Sequence, residues 1–433
     1  MWRWIWTRKW RLLALFVALS IAGWLIWTET LRAEFEDRLQ ALRDAGHPVN
    51  VADLDDAPIP DEENAAVLYA EAAEMIGRRP DAIEDPDPEY LEPEDYKEAA
   101  DWLESKSHVV ALLHEAAERP SWAFDVGWAD DNRDRWRTLL GLGWAANDLL
   151  MNYAEKKARE GDAHEALRCV ETIFRFADHL PPACTSLYIR RVSTYSYAMG
   201  TLQRISVAPS FDPDPAEERL APFLASAVAI EPFVGAVRGD LAHALRMSRD
   251  WIEGGSPIPA IREISLADVM GDEPKEPTNA QKTVEWLLSS WVLRPFAIQD
   301  GIYLIEDYEK AARLLGSASL ADLENTAKPD RGLPYVFSTV AGVPLAYYAE
   351  QMRDLRAHVA VTRAGLDALI HRKKHGSFPD DLTGSPLDPF TGKPLLYERR
   401  EDGTARIEAA RPLPYEGASI EVVEEWEIVW ELK

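Results

Sequence analysis

Residues 155–174, EKKAREGDAHEALRCVETIF, predict two helices joined by a tight turn. Gly161 and Asp162 make the turn, since both residue types are common where a chain reverses direction. Glu165-Ala166-Leu167 then opens the second helix, and small Ala166 falls where two crossing helices would come close. The stretch predicts a helical hairpin, and hairpins of this kind are the expected unit of the fold.

This hairpin resembles a tetratricopeptide-type repeat, over the length of one degenerate repeat. No recurrence of about 34 residues accompanies it, so an irregular stack of hairpins is predicted in place of a regular array. Periodicity and Pro/Gly breaks predict helices over 30–42, 94–117, 133–160, 162–180, 183–207, 216–250, 278–316 and 343–375.

The N-terminal residues predict a membrane anchor. An uncharged run extends from Leu12 to Thr28, close to the lower limit of about 17 residues for a helix that crosses a bilayer. Tryptophans crowd both ends, where amphipathic indoles favour the headgroup level. The first eleven residues carry four cations and no acid, so the positive-inside rule predicts a cytoplasmic N-terminus and an extracytoplasmic body at the inner (cytoplasmic) membrane. The predicted anchor residues are Leu12, Leu13, Leu15, Phe16, Val17, Leu19, Ile21, Trp24, Leu25, Ile26 and Trp27.

A cleavable signal peptide is the alternative interpretation of this segment. Ser20-Ile21-Ala22 supplies a small-x-small cleavage pattern. Bulky apolar residues continue past it through Trp24–Trp27, which favours an uncleaved anchor. No other window of this length lacks charge, so a single-pass protein is predicted.

The composition and net charge limit the classes of molecule that the protein is expected to bind. The chain is 47% hydrophobic with 16 Trp, so wholesale disorder is excluded. A net charge of −27 repels phosphate backbones and makes nucleic-acid binding a poor hypothesis. The expected partners are membrane lipid, through the N-terminal helix, and proteins that the sequence does not identify. Cys169 and Cys184 match no zinc motif, and two buried thiols are favoured over one disulfide bridge.

The region before the hairpins predicts a capped helix and an acidic loop. Asp61 is the predicted N-cap and Gly77 the predicted C-cap of one helix. Residues 81–98 hold nine acids, and an acidic surface loop is predicted near 78–93. This run lacks the D-x-[DN]-x-[DN]-G spacing of a calcium loop.

Two sets of residues are candidate sites of chemistry. His371 and His375, spaced i, i+4, could share a zinc ion, but the intervening Arg372-Lys373-Lys374 opposes a dication. The favoured interpretation is a solvated basic helix end that suits the helix dipole. Asp61, Glu62 and Glu63 could supply paired carboxylates for glycoside chemistry, although neighbouring Glu62 and Glu63 point to different helix faces.

An aromatic stretch is a further candidate binding feature, whereas the common catalytic and nucleotide-binding motifs are absent from the sequence. Residues 121–136 mix Trp122, Phe124, Trp128 and Trp136 with Asp and Asn, which suits sugar stacking or an interface. Ordinary aromatic packing is favoured. The sequence carries no G-x-S-x-G, Walker or G-x-G-x-x-G pattern, so no catalytic residue, cofactor or metal ligand is predicted.

The C-terminal residues predict a long helix that feeds a small sheet. An apolar stripe at i, i+3, i+7 spacing ends at His375-Gly376, and short strand-like runs follow over 393–399, 404–410 and 418–432. Between them lies HGSFPDDLTGSPLDPFTGKPLLYER (375–399), whose Pro and Gly predict turns. Asp380, Asp381 and Asp388 are weak calcium candidates.

This seam resembles the C-terminal module of type II secretion major pseudopilins, in which a long helix ends in G-x-Y/F-P-x-x-L, followed by D-P-x-G-x-P-x-x-Y. The matching residues are Gly376, Phe378, Pro379, Leu382, Asp388, Pro389, Gly392, Pro394 and Tyr397. The prepilin start and the late calcium loop of those proteins are missing, so the resemblance does not imply polymerisation into a pilus.

The whole layout resembles large uncharacterised single-pass membrane proteins of planctomycete type, with an IPDEENAA-like phrase at Ile59–Ala66. That resemblance implies location and architecture and assigns no activity.

The sequence thus predicts a mainly α protein in three parts. These are a cytoplasmic tip and transmembrane anchor (1–29), an irregular helical-hairpin body (30–340), and a long helix with a small antiparallel β module (341–433). A non-enzymatic interaction or scaffold role at the cell envelope is favoured. The alternatives are an envelope glycan hydrolase, using acids such as Glu62 or Asp125 near the aromatic stretch, and a secretion-apparatus component.

Overall fold

The fold is mainly α-helical, with a small antiparallel sheet near the C-terminus, as the sequence predicts. The structure is a computed structural model that describes residues 2–55, 57, 59–77, 93–123, 133–253, 293–317, 345–410 and 428–433.

The helices and strands are numbered in chain order. The helices are α1 (Trp2–Asp44), α2 (Ala65–Ile76), α3 (Pro93–Ser105), α4 (Ser107–Glu118), α5 (Arg133–Arg159), α6 (Ala163–His179), α7 (Thr185–Ile205), α8 (Pro213–Ala227), α9 (Glu231–Ile252), α10 (Arg294–Ser317) and α11 (Leu345–His375), with a 3₁₀ turn at Val51–Leu54. The strands are β1 (Leu396–Arg399), β2 (Ala405–Glu408) and β3 (Val429–Leu432).

The chain divides into two compact units. One comprises Met1–Leu54 and Val237–Ala346, and the other Asp55–Ala236 and Tyr347–Lys433. The division into 1–29, 30–340 and 341–433 stays a prediction made from the sequence.

In the first unit, the C-terminal half of α1 packs against α10. Leu31, Phe35, Leu39 and Leu42 are buried at spacings of four, four and three, which places them on one helix face. Gly301 of α10 lets Phe35 approach closely, since a Cβ built there would lie 2.8 Å from the Phe35 ring. This half of α1 is therefore an ordinary core helix.

In the second unit, α6 is the central helix and packs on α4, α5, α7 and α8. Its turn from α5 uses Gly161 at φ +87°, a left-handed conformation that favours glycine. The Asp162 carboxylate then accepts from the Glu165 amide at 3.1 Å and caps α6. Ala166 is fully buried. The helical hairpin predicted from residues 155–174 is confirmed.

A polar network joins α6, α7 and α8. The Asp178 carboxylate accepts from Arg191 at 2.9 Å, from the Ser226 hydroxyl at 2.7 Å, and from the Tyr195 hydroxyl. Because three donors from two other helices converge on one carboxylate, the network fixes how these helices pack.

The sheet has the order β1-β2-β3, with both pairs antiparallel. Trp430 of β3 is buried against Gly365 of α11, where a Cβ would collide with the indole ring. The sheet therefore packs on α11 at a position where glycine leaves room for the Trp430 ring.

Three details of the secondary structure differ from the predictions. The helix expected over 94–117 is two helices, α3 and α4, which meet at Lys106, and the one expected over 216–250 is α8 and α9. The N-cap of α2 is Asn64, whose side chain accepts from the Ala66 amide, and the prediction of Asp61 is wrong. The other predicted cap is confirmed, since Gly77 ends α2 at φ +66°.

Some predictions fall on residues outside the described ranges. They are the predicted acidic loop (residues 78–92 of it), the first part of the predicted helix 278–316 (residues 278–292), and the strand-like residues 418–427.

Candidate functional site

The apolar half of α1, residues 12–27, is exposed on every side. Leu12, Leu13, Leu15 and Phe16 each keep at least half of their surface exposed, and consecutive helical positions cannot share one face. All but one of the predicted anchor residues are exposed large hydrophobics, Trp24 being partly buried. At Thr28, which is buried, the exposed pattern gives way to the one-sided pattern of the core half.

In the described part of the chain, two helical stretches are long and apolar enough to cross a membrane, judged by length and composition. In Lys9–Asp44 only 6% of the apolar window is buried in the protein, against 33% in Pro213–Ile252. The second stretch consists of α8 and α9, where Leu220, Leu224 and Phe233 are core residues. The N-terminal stretch is therefore the stronger candidate for a span, and the single-pass topology stays a prediction.

The pseudopilin-like residues occupy the seam between α11 and the sheet. Gly376 ends α11 at φ +78° and donates its amide to the Arg372 carbonyl at 2.7 Å. Phe378 is buried, and the Tyr397 hydroxyl donates to the Pro379 carbonyl at 2.7 Å. These contacts give the motif a local structural role, namely to turn the chain from helix to strand.

The calcium candidates in this seam are engaged with the protein itself. Asp388 is buried and accepts from the Phe390 amide at 2.9 Å, the Thr391 hydroxyl at 2.9 Å and the Ala410 amide at 3.1 Å. Asp380 pairs with Arg399 at 2.6 Å, and Asp381 accepts from the Thr383 amide at 2.9 Å. Since each carboxylate already has cationic or N–H/O–H partners, the three do not form a shared oxygen cage.

His371 and His375 are neighbours, with ring centroids 4.3 Å apart. The His371 Nδ1 atom lies 3.0 Å from the Ser377 carbonyl, so it donates there and is not a free metal ligand. Lys373, between them, pairs with Asp212 and Asp214 at 2.6 and 2.5 Å. Within the described residues this helix end shows ion pairs and a cap and no third ligand.

The acidic and aromatic candidates do not form a described cleft. Asp61, Glu62 and Glu63 form an exposed turn before α2. Trp122 packs at 5.3 Å from Tyr69 and 5.8 Å from Phe176, measured between ring centroids, which is the aromatic packing favoured from the sequence. Phe124, Asp125, Trp128 and the Trp136 side chain lie outside the described residues.

The cysteine prediction is confirmed. Cys169 and Cys184 are both free thiols and both buried. Burial raises the pKa of Cys169 well above its usual value, so without a cation beside it this sulfur is a neutral thiol.

Sequence reasoning missed the cluster that α4 and α6 build around Cys169. His114 comes from α4, and Glu165 and Cys169 from adjacent turns of α6. The potential ligand atoms of the three side chains lie within 4.8 Å of one another. Among the described residues, this is the group that combines metal-binding donors in this way.

Hydrogen bonds orient the buried imidazole of His114. Its Nδ1 atom lies 2.6 Å from the Thr172 hydroxyl and its Nε2 atom 3.2 Å from a Glu165 carboxylate oxygen. Burial lowers the pKa of His114, and the Glu165 carboxylate opposes that effect. The ring is therefore held with Nε2 directed at the carboxylate.

One sequence signal for this cluster existed. Glu165 and Cys169 are spaced i, i+4, the spacing that places two side chains on one helix face. His114 lies about fifty positions earlier, and its proximity depends on how α4 crosses α6, which the sequence pattern does not specify.

No family model, no curated protein and no solved structure matches this chain. The resemblances to pseudopilins and to single-pass proteins of planctomycete type stay predictions that rest on the sequence motifs.

Proposed function

We propose that this chain is a membrane-anchored extracytoplasmic protein that acts as an interaction or scaffold protein of the cell envelope. The observation that carries the proposal is α1, a single helix whose apolar half, residues 12–27, is exposed on all sides and whose C-terminal half is buried on one face. An exposed hydrocarbon surface of this kind is costly in water and stable in lipid.

The charges around α1 support the orientation. Four cations and no acid lie in the eleven residues before the apolar half, whereas Arg32, which follows it, lies between Glu29 and Glu34. Because cytoplasmic flanks are enriched in Lys and Arg, the cations before the span support a body that lies outside the cytoplasmic membrane.

The helical-hairpin body supports the interaction role. Stacked hairpins expose extended helix surfaces, and an acidic exterior with net charge −27 favours basic or neutral protein partners over nucleic acids. The glycan-hydrolase and secretion-apparatus hypotheses stay open, although no described residue geometry favours either.

Membrane extraction tests the anchor. The double substitution Leu15→Arg and Leu19→Arg should release the chain from membranes into the soluble fraction, because each charge near the centre of a span costs about 2.5–3.5 kcal/mol. Ala33→Arg, at an exposed position of the same helix beyond the apolar half, should leave extraction unchanged. A chain that stays in the membrane pellet after the double substitution would overturn the anchor.

Affinity capture tests the interaction role. The full chain, solubilised from its own membranes in mild detergent, should retain at least one protein at fixed stoichiometry after washing. Recovery of the chain alone, from cells in which it is correctly inserted, would count against the scaffold role and leave the anchor intact.

A further inference from the structure

We propose that His114, Glu165 and Cys169 bind one divalent transition-metal ion of the zinc class. This site is additional to the anchor and the proposed scaffold role, and it depends on neither.

The donor positions fit a metal held between two helices. Glu165 and Cys169 project from one face of α6, and His114 faces them from α4. The 3.2 Å between Nε2 of His114 and the Glu165 oxygen is close to the roughly 3.4 Å between two ligands of a tetrahedral ion with bonds of about 2.1 Å. The Cys169 sulfur lies within 4.8 Å of a ring nitrogen of His114 and of a carboxylate oxygen of Glu165, so a side-chain adjustment on the order of 1 Å completes the set.

A hydrogen bond at Nδ1 orients the His114 ring so that Nε2 can bind the metal. The Thr172 hydroxyl lies 2.6 Å from Nδ1 of His114 and also donates to the Arg168 carbonyl at 2.9 Å. With that proton committed to Arg168, Thr172 accepts from Nδ1–H and leaves the Nε2 lone pair toward Glu165. Metal-binding histidines are oriented in this way by a partner on the other ring nitrogen.

The lone pairs of Nε2 and of the carboxylate then face each other across 3.2 Å in a partly buried site. A proton or a metal cation must lie between them. Arg168 does not supply that charge, because its guanidinium pairs with Glu118 at 3.1 Å. A metal cation would also stabilise the Cys169 sulfur as a thiolate.

The donor types select the class of metal. Imidazole nitrogen and thiolate sulfur are ligands for zinc and its neighbours, whereas calcium and magnesium require oxygen ligands. When the metal–sulfur bond forms, the Cys169 thiol releases one proton to solvent. Three protein ligands leave a fourth tetrahedral position for water, and Glu165, with a side chain 25% exposed, lies on the accessible side.

The competing arrangement is a closed hydrogen-bonded cluster. In it the Thr172 hydroxyl donates to Nδ1 of His114, Nε2–H donates to Glu165, and Cys169 is only a core residue. The two arrangements differ in whether the sulfur is a ligand, which a spectroscopic measurement detects directly.

The test is a titration of the full chain in mild detergent, stripped with a chelator, with Co²⁺ and then Zn²⁺. We expect one equivalent of Co²⁺ to produce a thiolate-to-cobalt charge-transfer band that one equivalent of Zn²⁺ removes. Cys169→Ser should abolish the band, while Cys184→Ser, at the other buried free thiol, should preserve it. No band in the unmodified chain, or an unchanged band in Cys169→Ser, would overturn the proposal.

Two milder variants keep the test valid if Cys169→Ser does not fold. Glu165→Gln, at a partly exposed side chain, should weaken Co²⁺ binding at least about tenfold while circular dichroism stays unchanged. Thr172→Val, which keeps all three ligands and removes the support of Nδ1, should weaken binding by about 10–100-fold. Unchanged affinity in both folded variants would contradict the site.

Discussion

At the scale of single residues, Gly365 controls the attachment of the sheet to α11. The Trp430 ring occupies the space that a Cβ at position 365 would need. Gly365→Ala should therefore lower the free energy of unfolding by about 1–3 kcal/mol, because overpacking displaces the indole. Denaturant unfolding followed by tryptophan fluorescence measures the effect. Gly200→Ala, in the open interior of α7, should instead stabilise by up to about 1 kcal/mol, and equal effects at the two sites would contradict the packing argument.

Arg190 gives a second prediction at this scale. Its guanidinium is buried and stacks 4.1 Å from the centre of the Trp144 ring, and none of its nitrogens has a hydrogen-bond partner among the described residues. Burial lowers its pKa to about 10, so the group stays charged at neutral pH. Because a buried cation without hydrogen bonds is costly, Arg190→Met should raise the free energy of unfolding by about 1–2 kcal/mol.

The adjacent arginine is the matched control. Arg191 is equally buried but pairs with Asp178 at 2.9 Å. Arg191→Met should cost about 3–5 kcal/mol, because it leaves that carboxylate without its cation. Thermal unfolding of both variants distinguishes the two arginines, and a loss in both would mean that Arg190 has a partner.

Glycine was the residue type most readable from sequence at this scale. Gly77, Gly161 and Gly376 all lie at predicted helix ends and have positive φ, a conformation that glycine adopts without steric cost. Gly365 carried no such signal, since its role depends on a tryptophan more than sixty residues away. The burial of Arg190 was likewise not predictable, because the sequence does not reveal which charged side chains are buried.

At the scale of elements, α2 depends on Asn64. The Asn64 side chain accepts from the Ala66 and Ala123 amides, both at 3.0 Å, and donates to the Ala123 carbonyl at 2.7 Å. Asn64→Ala should cost about 2–3 kcal/mol, the sum of a lost cap and buried groups left without partners. Asp61→Ala, at the exposed residue that the sequence favoured as the cap, should cost less than about 0.5 kcal/mol. Urea unfolding ranks the two variants, and the reverse order would contradict the assignment of the cap.

Two breaks between helices differ in how clearly the sequence indicates them. The break between α8 and α9 precedes Pro232 in the first turn of α9, where proline is tolerated, and that signal was readable. The break at Lys106 contains neither Gly nor Pro. There the Lys106 ammonium reaches the Met75 carbonyl at 2.8 Å, a contact between distant elements that local periodicity does not contain.

The metal cluster shows the same limit. Residues 165 and 169 share a helix face by spacing alone, whereas His114 joins them through the crossing of α4 and α6. The hairpin was predictable from sequence, and the identity of the residue opposite Cys169 was not.

At the scale of the whole molecule, acid should destabilise both units. Burial lowers the pKa of His47 in the first unit, with Arg238 adding to the effect, and burial lowers the pKa of His179 in the second. Above the ordinary value of 6.5 both histidines are neutral in the folded and unfolded states. As pH falls below that value the unfolded chain binds protons first, so stability is lost.

Denaturant midpoints measured between about pH 7.5 and 5 should show this loss. Each histidine contributes no more than about 1.4 kcal/mol per pH unit. His179→Gln removes one titrating group, so its profile should be shallower than that of the unmodified chain. A midpoint that rises as pH falls from 6.5 would contradict the assignment of neutral buried histidines.

The central claim is that α1 crosses the membrane with the body outside the cytoplasm, and labelling of introduced cysteines in intact spheroplasts tests it most directly. The native thiols, Cys169 and Cys184, are buried, so we expect the maleimide to label them little. Glu401→Cys, at the exposed β1–β2 turn, should react with a membrane-impermeant maleimide in intact spheroplasts, while Thr7→Cys should react only after lysis. Reaction of Thr7→Cys in intact spheroplasts, with Glu401→Cys protected until lysis, would contradict the account.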